Sequence, residues 1–179
     1  MQTNTLENWL AEEALVRQRV DAGPGAGQAD PQMVADWSGL QLMQAMLNGD
    51  IPHASIARTL DFLLLEVSAG HAVFQGAPGM DHLNPMGTVH GGWYATLLDS
   101  ALGCAVHSSL PAGRAYTTAE LGINLVKAIQ PGKVTRVRAV GEIVHCGRQL
   151  ATAQARLVGP DGTLYAHAST TCLVFEMQR

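Results

Sequence analysis

The chain has 179 residues, of which 47% are hydrophobic and 15% charged, with a formal net charge of -4. That composition carries a folded core and excludes a disordered chain, and the length suits one domain with a terminal appendage. The 11 Lys and Arg form no basic block, so neither a nucleic-acid backbone nor an anionic membrane is an expected partner.

Leu6, Trp9, Leu10, Ala14 and Val16 recur near helical spacing between Glu7, Glu12, Glu13, Arg17 and Arg19, which predicts a short helix over 6–20. This N-terminal stretch is amphipathic and lacks the apolar core of a signal peptide, and no run approaches about 18 apolar residues, so a cytoplasmic protein without a membrane span is expected. The glycines and prolines of Asp21–Pro31 predict a loop. Pro31 then opens a second predicted helix over 31–48, with Val34, Trp37, Leu40, Leu42 and Met46 as its apolar contacts, and Asn48-Gly49-Asp50 stops it. Residues 1–50 read as an N-terminal helical extension, and 51–179 as the main domain.

From Ile51 the pattern changes. A short helix turns into a strand across IARTLDFLLLEVSAG, and HAVFQGA (His71–Ala77) is a second strand beyond a Ser-Ala-Gly turn. Leu60, Phe62, Leu63, Leu64 and Leu65 could line a pocket or fill the core. Gly91 to about Ser109 is predicted as a helix, because Tyr94, Leu97, Leu98, Ala101, Leu102, Ala105 and Val106 recur at spacings of three and four. Beyond Pro111 the period becomes two, with strands predicted at 115–127, 133–145, 148–158 and 163–176. In the second of these Val137, Ala139, Gly141 and Ile143 share one face, while Arg136, Arg138 and Glu142 take the other. One apolar helix and one antiparallel sheet must each bury a face, and a sheet wrapped around the helix satisfies both.

Chemistry concentrates in NPMGTVHGGWYATLLDSALGCA, Asn84 to Ala105. Two consecutive glycines, Gly91 and Gly92, at a helix N-terminus leave backbone N–H groups unobstructed, and the helix dipole favours negative charge there. Such a site can polarise a carbonyl and stabilise an oxyanion; losing one donor of this kind costs about 3 kcal/mol in hydrolases. Asp99 lies inside the apolar helix, where a carboxylate acts either as a hydrogen-bonded structural group or as a base or nucleophile. Ala95 and Gly103 at i−4 and i+4 leave room beside it for a substrate group. At about 1.5 Å rise per residue, Asp99 sits roughly 12 Å along the axis from Gly91. If both act on one carbonyl, they must come from two subunits.

The whole pattern, Asn84, Gly87, His90, Gly91, Gly92 and Asp99, resembles the active-site loop and central helix of the PaaI-like (phenylacetate-pathway) acyl-CoA thioesterases of the hotdog superfamily. The resemblance covers roughly 52–176 and includes Gly147–Leu157, but not the first fifty residues. It implies an α+β hotdog fold in residues 51–179, with an antiparallel sheet around a long central helix. It also implies an active site at a homodimer interface, with dimers often paired into a homotetramer. The Gly91 N–H would polarise the thioester carbonyl, with His90 shaping the loop and Asp99 serving as general base or nucleophile. Asn84 would position water or the carbonyl, or it is simply the turn residue before Pro85. The family often has a Ser or Thr beside the carboxylate; Thr118 fits, and Thr117 is the other option.

Gly92, Trp93, Arg148 and Lys133 are candidate substrate contacts, the two basic residues for coenzyme A phosphates, although solvated turn charges and interface packing are alternatives. No cofactor beyond the coenzyme A of the substrate is expected. Cys104, Cys146 and Cys172 read as reduced thiols, and His71, His107, His145 and His167 as surface or packing residues without metal-site spacing. The absence of a Gly-x-Ser-x-Gly elbow argues against a serine hydrolase, and the Gly76–Gly79 stretch is no nucleotide loop. Three readings follow: hydrolysis of a small aryl-, short- or medium-chain acyl-CoA, dehydration of a hydroxyacyl thioester, or non-catalytic acyl-CoA binding. The position of Asp99 favours the first.

Overall fold

The apolar helix lies in the concave face of one antiparallel sheet, in a computed structural model that describes residues 5–177. The strands are β1 (Phe62–Ser68), β2 (His71–Gly76), β3 (Arg114–Leu125), β4 (Val137–Cys146), β5 (Leu150–Val158) and β6 (Leu164–Glu176). Their order across the sheet is β1-β2-β4-β5-β6-β3, so β1 and β3 are its two edges. The helices are α1 (Thr5–Ala22), α2 (Pro31–Val34), α3 (Gly39–Asn48), α4 (Ser55–Thr59) and the central α5 (Gly91–His107), with a 3-10 turn at Met80–His82. This is the hotdog architecture expected from the sequence.

The register puts Phe74, Ala139, Leu157 and Ala166 opposite one another in a row across β2, β4, β5 and β6. Alternation along each strand turns such rows toward the helix. Leu97, Leu98, Ala101, Leu102 and Val106 of α5 answer them with no exposed surface. Each fully buried leucine of this set contributes about 2 kcal/mol through apolar burial. The helix crosses β4 at Gly141, where a Cβ would overlap the carbonyl oxygen of Ala101. A glycine there is a condition of the close helix–sheet contact.

Two predicted elements come out differently. The helix predicted over 31–48 is split into α2 and α3. Ser38 starts α3 afresh through a capping box with Gln41, and the Gly39 N–H bonds the carbonyl of Leu110 instead of a helical partner. Tertiary contact thereby outweighs local helix continuity. The strand predicted from 133 begins only at Val137. The N–H groups of Lys133 and Val134 both bond Gln130, so the turn at Gln130-Pro131-Gly132 is extended at the strand's expense.

The first helix lies on the back of the sheet. Glu13, which the helical pattern placed between the apolar positions, is 3% exposed. Its carboxylate accepts from Arg17 Nε and Gln75 Nε2, each at 2.7 Å, and from Arg136 Nε. Gln75 in turn accepts from Arg138 Nε at 2.8 Å, and the Arg138 guanidinium stacks on Trp9 at 4.3 Å and reaches Glu12. Gln75 and Arg138 face each other in the β2–β4 register. Burial raises the carboxyl's protonation tendency, but the hydrogen bonds from Arg136, Arg17 and Gln75 outweigh it and hold Glu13 below its ordinary value. Helix α1 is thus latched to β2 and the start of β4 by a buried charge rather than by an apolar stripe.

Candidate active site

The loop before α5 is built by Asn84. Its side-chain carbonyl accepts from the N–H groups of Met86 and Thr88, its amide donates to Thr88 Oγ1 at 2.8 Å, and its own N–H bonds the Thr88 carbonyl. This is an Asx turn that folds the loop onto itself. Gly87 takes φ +83° at its tip. Val89 N–H then bonds Ile129, and Ile129 N–H bonds the Tyr94 hydroxyl at 2.7 Å, so the loop and the first turn of α5 are pinned to the same backbone.

His90 is the N-cap of α5, and its Nδ1 accepts from the Gly92 N–H at 2.8 Å. The Gly92 donor expected to meet substrate is therefore occupied within the chain. The Gly91 N–H, at the first helical position, meets no acceptor among the described residues. It is the donor that remains available to a ligand.

Eight residues on, Asp99 projects from the helix side that faces away from the buried core and is half-buried. Thr118 Oγ1 on β3 donates to Asp99 Oδ1 at 3.1 Å, whereas Thr117 is exposed. The other carboxylate oxygen has no hydrogen bond within the chain among the described residues. The helix is unbroken from Gly91 to His107, so the separation of about 12 Å between Gly91 and Asp99 holds.

Tyr116, two residues before Thr118 and on the same strand face, was not singled out from the sequence. Its phenol occupies the space beside Gly103, where a Cβ would overlap its oxygen. The room that Gly103 leaves is thus filled by this chain's own ring rather than kept for a substrate. Tyr116 also packs on His107, with centroids 5.5 Å apart. Burial and then the neighbouring Cys104 and Asp99 push the Tyr116 hydroxyl well above its ordinary value. Burial and the Asp99 charge push the Cys104 thiol up to about 12, so both groups stay neutral and neither is a nucleophile.

A cavity of about 470 Å³ opens beside Asp99, a volume typical of small-ligand sites. Asp99, Ser100, Cys104 and Tyr116 form one side. Phe62, Leu63, Leu64 and Phe74 form the sheet side, so part of the apolar run at 60–65 lines a pocket while also belonging to the core. The remaining lining comes from α1, α3, α4 and the loops after α1, before α4 and before β1. No sequence signal marked these N-terminal residues. Tyr116 could have been reached from Thr118 by the period of two.

Trp93, a candidate substrate contact, is 3% exposed. It donates from Nε1 to the Leu60 carbonyl and stacks on His82, so its indole packs the core and does not line the cavity. Arg148 and Lys133 are exposed at turns and do not line it either. The Arg148 carbonyl accepts from Arg114, which fixes the turn's backbone and leaves its guanidinium in solvent. His71 pairs with Glu66 at 3.7 Å, and His145 and His167 are exposed. A half-exposed carboxylate with a hydroxyl donor can hold and deprotonate a water or attack a carbonyl directly.

Residues 86–166 match the model of the thioesterase superfamily. No curated protein matches the chain. Among solved structures, a phenylacetic acid degradation-related protein of Ralstonia eutropha, described as a candidate thioesterase, is 27% identical with a TM-score of 0.66 over 73% of this chain and 98% of its own. A variant of the phenylacetic acid degradation protein PaaI of Thermus thermophilus is 28% identical with a TM-score of 0.60, covering 66% and 96% of the two chains. A thioesterase of Haemophilus influenzae, 17% identical over 70% and 85%, shares the fold with a TM-score of 0.64. Residues 86–166 thus carry the thioesterase-superfamily pattern, on a fold similar to that of PaaI-like hotdog proteins, and these likenesses support a thioester hydrolase.

Proposed function

We propose that this chain is a cytoplasmic acyl-CoA thioesterase that cleaves a small aryl-, short- or medium-chain acyl-CoA to the free acid and coenzyme A. The observation that carries this reading is Asp99. It is a carboxylate held by Thr118 and lining a cavity with apolar side chains, on a helix whose first N–H is unpaired among the described residues. Water adds to the thioester carbonyl as Asp99 takes its proton, the C–S bond breaks, and the thiolate leaves and is protonated. In the alternative course Asp99 itself attacks, giving a mixed anhydride that water then opens. In both, the developing oxyanion needs the Gly91 N–H.

A distance of about 12 Å between the two groups along one helix supports a homodimer in which one subunit supplies Gly91 and the other Asp99. The exposed edge of β3, which carries Thr118, is available for such pairing. Pairing of dimers into a tetramer is part of the same reading. Asn84 acts here by shaping the loop that presents Gly91.

The test is release of free thiol from a panel of aryl-, short- and medium-chain acyl-CoAs, with Asp99→Ala and Asp99→Asn alongside. The expected result is turnover by the native protein and a loss of at least about a hundredfold in kcat in both variants, the scale of a general base or nucleophile. No release from any member of the panel overturns the hydrolase reading. Undiminished release by Asp99→Ala overturns the role given to Asp99. Hydration of an enoyl-CoA in its place would mark a dehydratase.

A further inference from the structure

The matched thioesterase stretch begins at residue 86, yet much of the cavity beside Asp99 is made from residues before it. We propose that the segment from Arg17 to Ala57 is the distal wall of the acyl pocket, and that it sets the chain length of a straight, medium-chain acyl group. The identity of the ligand rests on the hydrolase reading above; the wall itself does not.

The lining has an apolar part and a charged part. Phe62, Leu64 and Phe74 from the sheet, Met46 from α3 and Ala57 from α4 are apolar and accept an alkyl chain. Asp61 immediately precedes Phe62, and with it the lining becomes charged. Arg17 Nη2 pairs with Asp61 Oδ1 at 2.6 Å, and His53 stands nearby with a buried Nδ1 that has no hydrogen-bond partner among the described residues. Burial and the charge of Arg58 push His53 down, toward its neutral form. A methyl terminus gains about fourfold in affinity for each methylene placed between the apolar walls. Once it reaches Arg17, Asp61 and His53 it displaces water from polar groups and gains nothing.

The wall is fixed rather than loose. Ala26 forms a parallel bridge with His53, His53 N–H donates to the Gly25 carbonyl at 3.0 Å, and Gly27 N–H donates to the His53 carbonyl at 2.9 Å. Gly25 has φ +77° at this strap. Arg17 is held a second time by the buried Glu13, whose other partners lie on the sheet. At about 30 Å³ for each water-sized group, 470 Å³ gives room for roughly fifteen, enough for a medium-length chain at incomplete filling.

The experiment uses the full chain, native and as Met46→Ala and Ala57→Val, with folding verified by thermal melting. Affinity is measured by calorimetry for S-alkyl-CoA thioethers from butyl to dodecyl, which cannot be hydrolysed, and kcat/KM is measured for the matching acyl-CoAs. The native protein is expected to gain affinity with length and then reach a plateau. Met46→Ala moves that break about two carbons longer, and Ala57→Val moves it shorter, changing the ratio between adjacent lengths by about fourfold. Native profiles retained by both folded variants, or thioether affinity independent of length, overturn the wall. Length-dependent thioether binding that shifts in the variants, with no hydrolysis by any form, sustains the wall and overturns the hydrolase reading.

Discussion

Replacing Glu13 by Gln keeps the side chain's shape and removes its charge, at a site where three donors converge. The carboxylate accepts from Arg17, Gln75 and Arg136 at once, and only 4% of its side chain is exposed. A glutamine offers one acceptor oxygen and turns an NH2 group toward a donor. Breaking a buried charge pair costs about 3–5 kcal/mol, and the lower end applies because Arg17 and Arg136 retain 41% and 24% of their side-chain exposure. A loss of about 3 kcal/mol corresponds to a melting point lower by roughly 6–12 °C for a chain of this size, if the molecule unfolds as a unit. Because the Gln75 and Arg136 contacts of Glu13 tie α1 to the sheet, the loss should be local first. Hydrogen exchange read by mass spectrometry should show α1 amides losing protection while α5 and β4 keep theirs. Arg17 and Val20 would leave the cavity with the helix, so the chain-length break should blur in the same variant. An α1 protected as in the native protein, with an unchanged melting point, would refute the latch.

The same carboxylate sets a pH dependence. Its folded value lies below its ordinary 4.5, so its stabilisation is complete above that value and disappears as pH falls through the lower folded value. Trp9 fluorescence, sensitive to the stacked Arg138, should therefore be constant from neutral pH down to the ordinary carboxyl value of 4.5 and change only below it, and Glu13→Gln should abolish that transition. Gly141→Ala places a methyl against the Ala101 carbonyl of α5, a backbone atom that cannot step aside. Overpacking of this kind costs about 1–3 kcal/mol, and calorimetric melting should fall by several degrees; an unchanged melting point would show that the helix and sheet have slack there.

The architecture was legible because its signals are local. Period two in 137–143, the three-and-four spacing from Tyr94 to Val106, and the turn residues between strands are each written within a few positions. A single apolar helix facing a single half-apolar sheet leaves one economical way to bury both. The motif segment was legible for the same reason: His90, Gly91, Gly92 and Asp99 lie on one loop and one helix, so their separation follows from helical rise alone.

What the sequence could not reveal depends on which distant segments meet. The split at 35–38 follows from Gly39 finding Leu110, and the burial of Glu13 follows from α1 meeting Gln75 and Arg136, more than sixty positions away. Trp93 looked like a substrate contact because it adjoins the glycine pair, but helix geometry turns it into the core against Gly76. Asn84 and the Gly92 N–H looked available because a sequence does not show which donors and acceptors satisfy one another inside a turn. Local periodicity is carried by neighbours along the chain, and the sequence by itself determined the sheet, the central helix and the position of Asp99 on it. The cavity's far wall joins Arg17, Met46 and His53 to Phe62 and Asp99, and only the tertiary structure decided it, because long-range packing has no period to read.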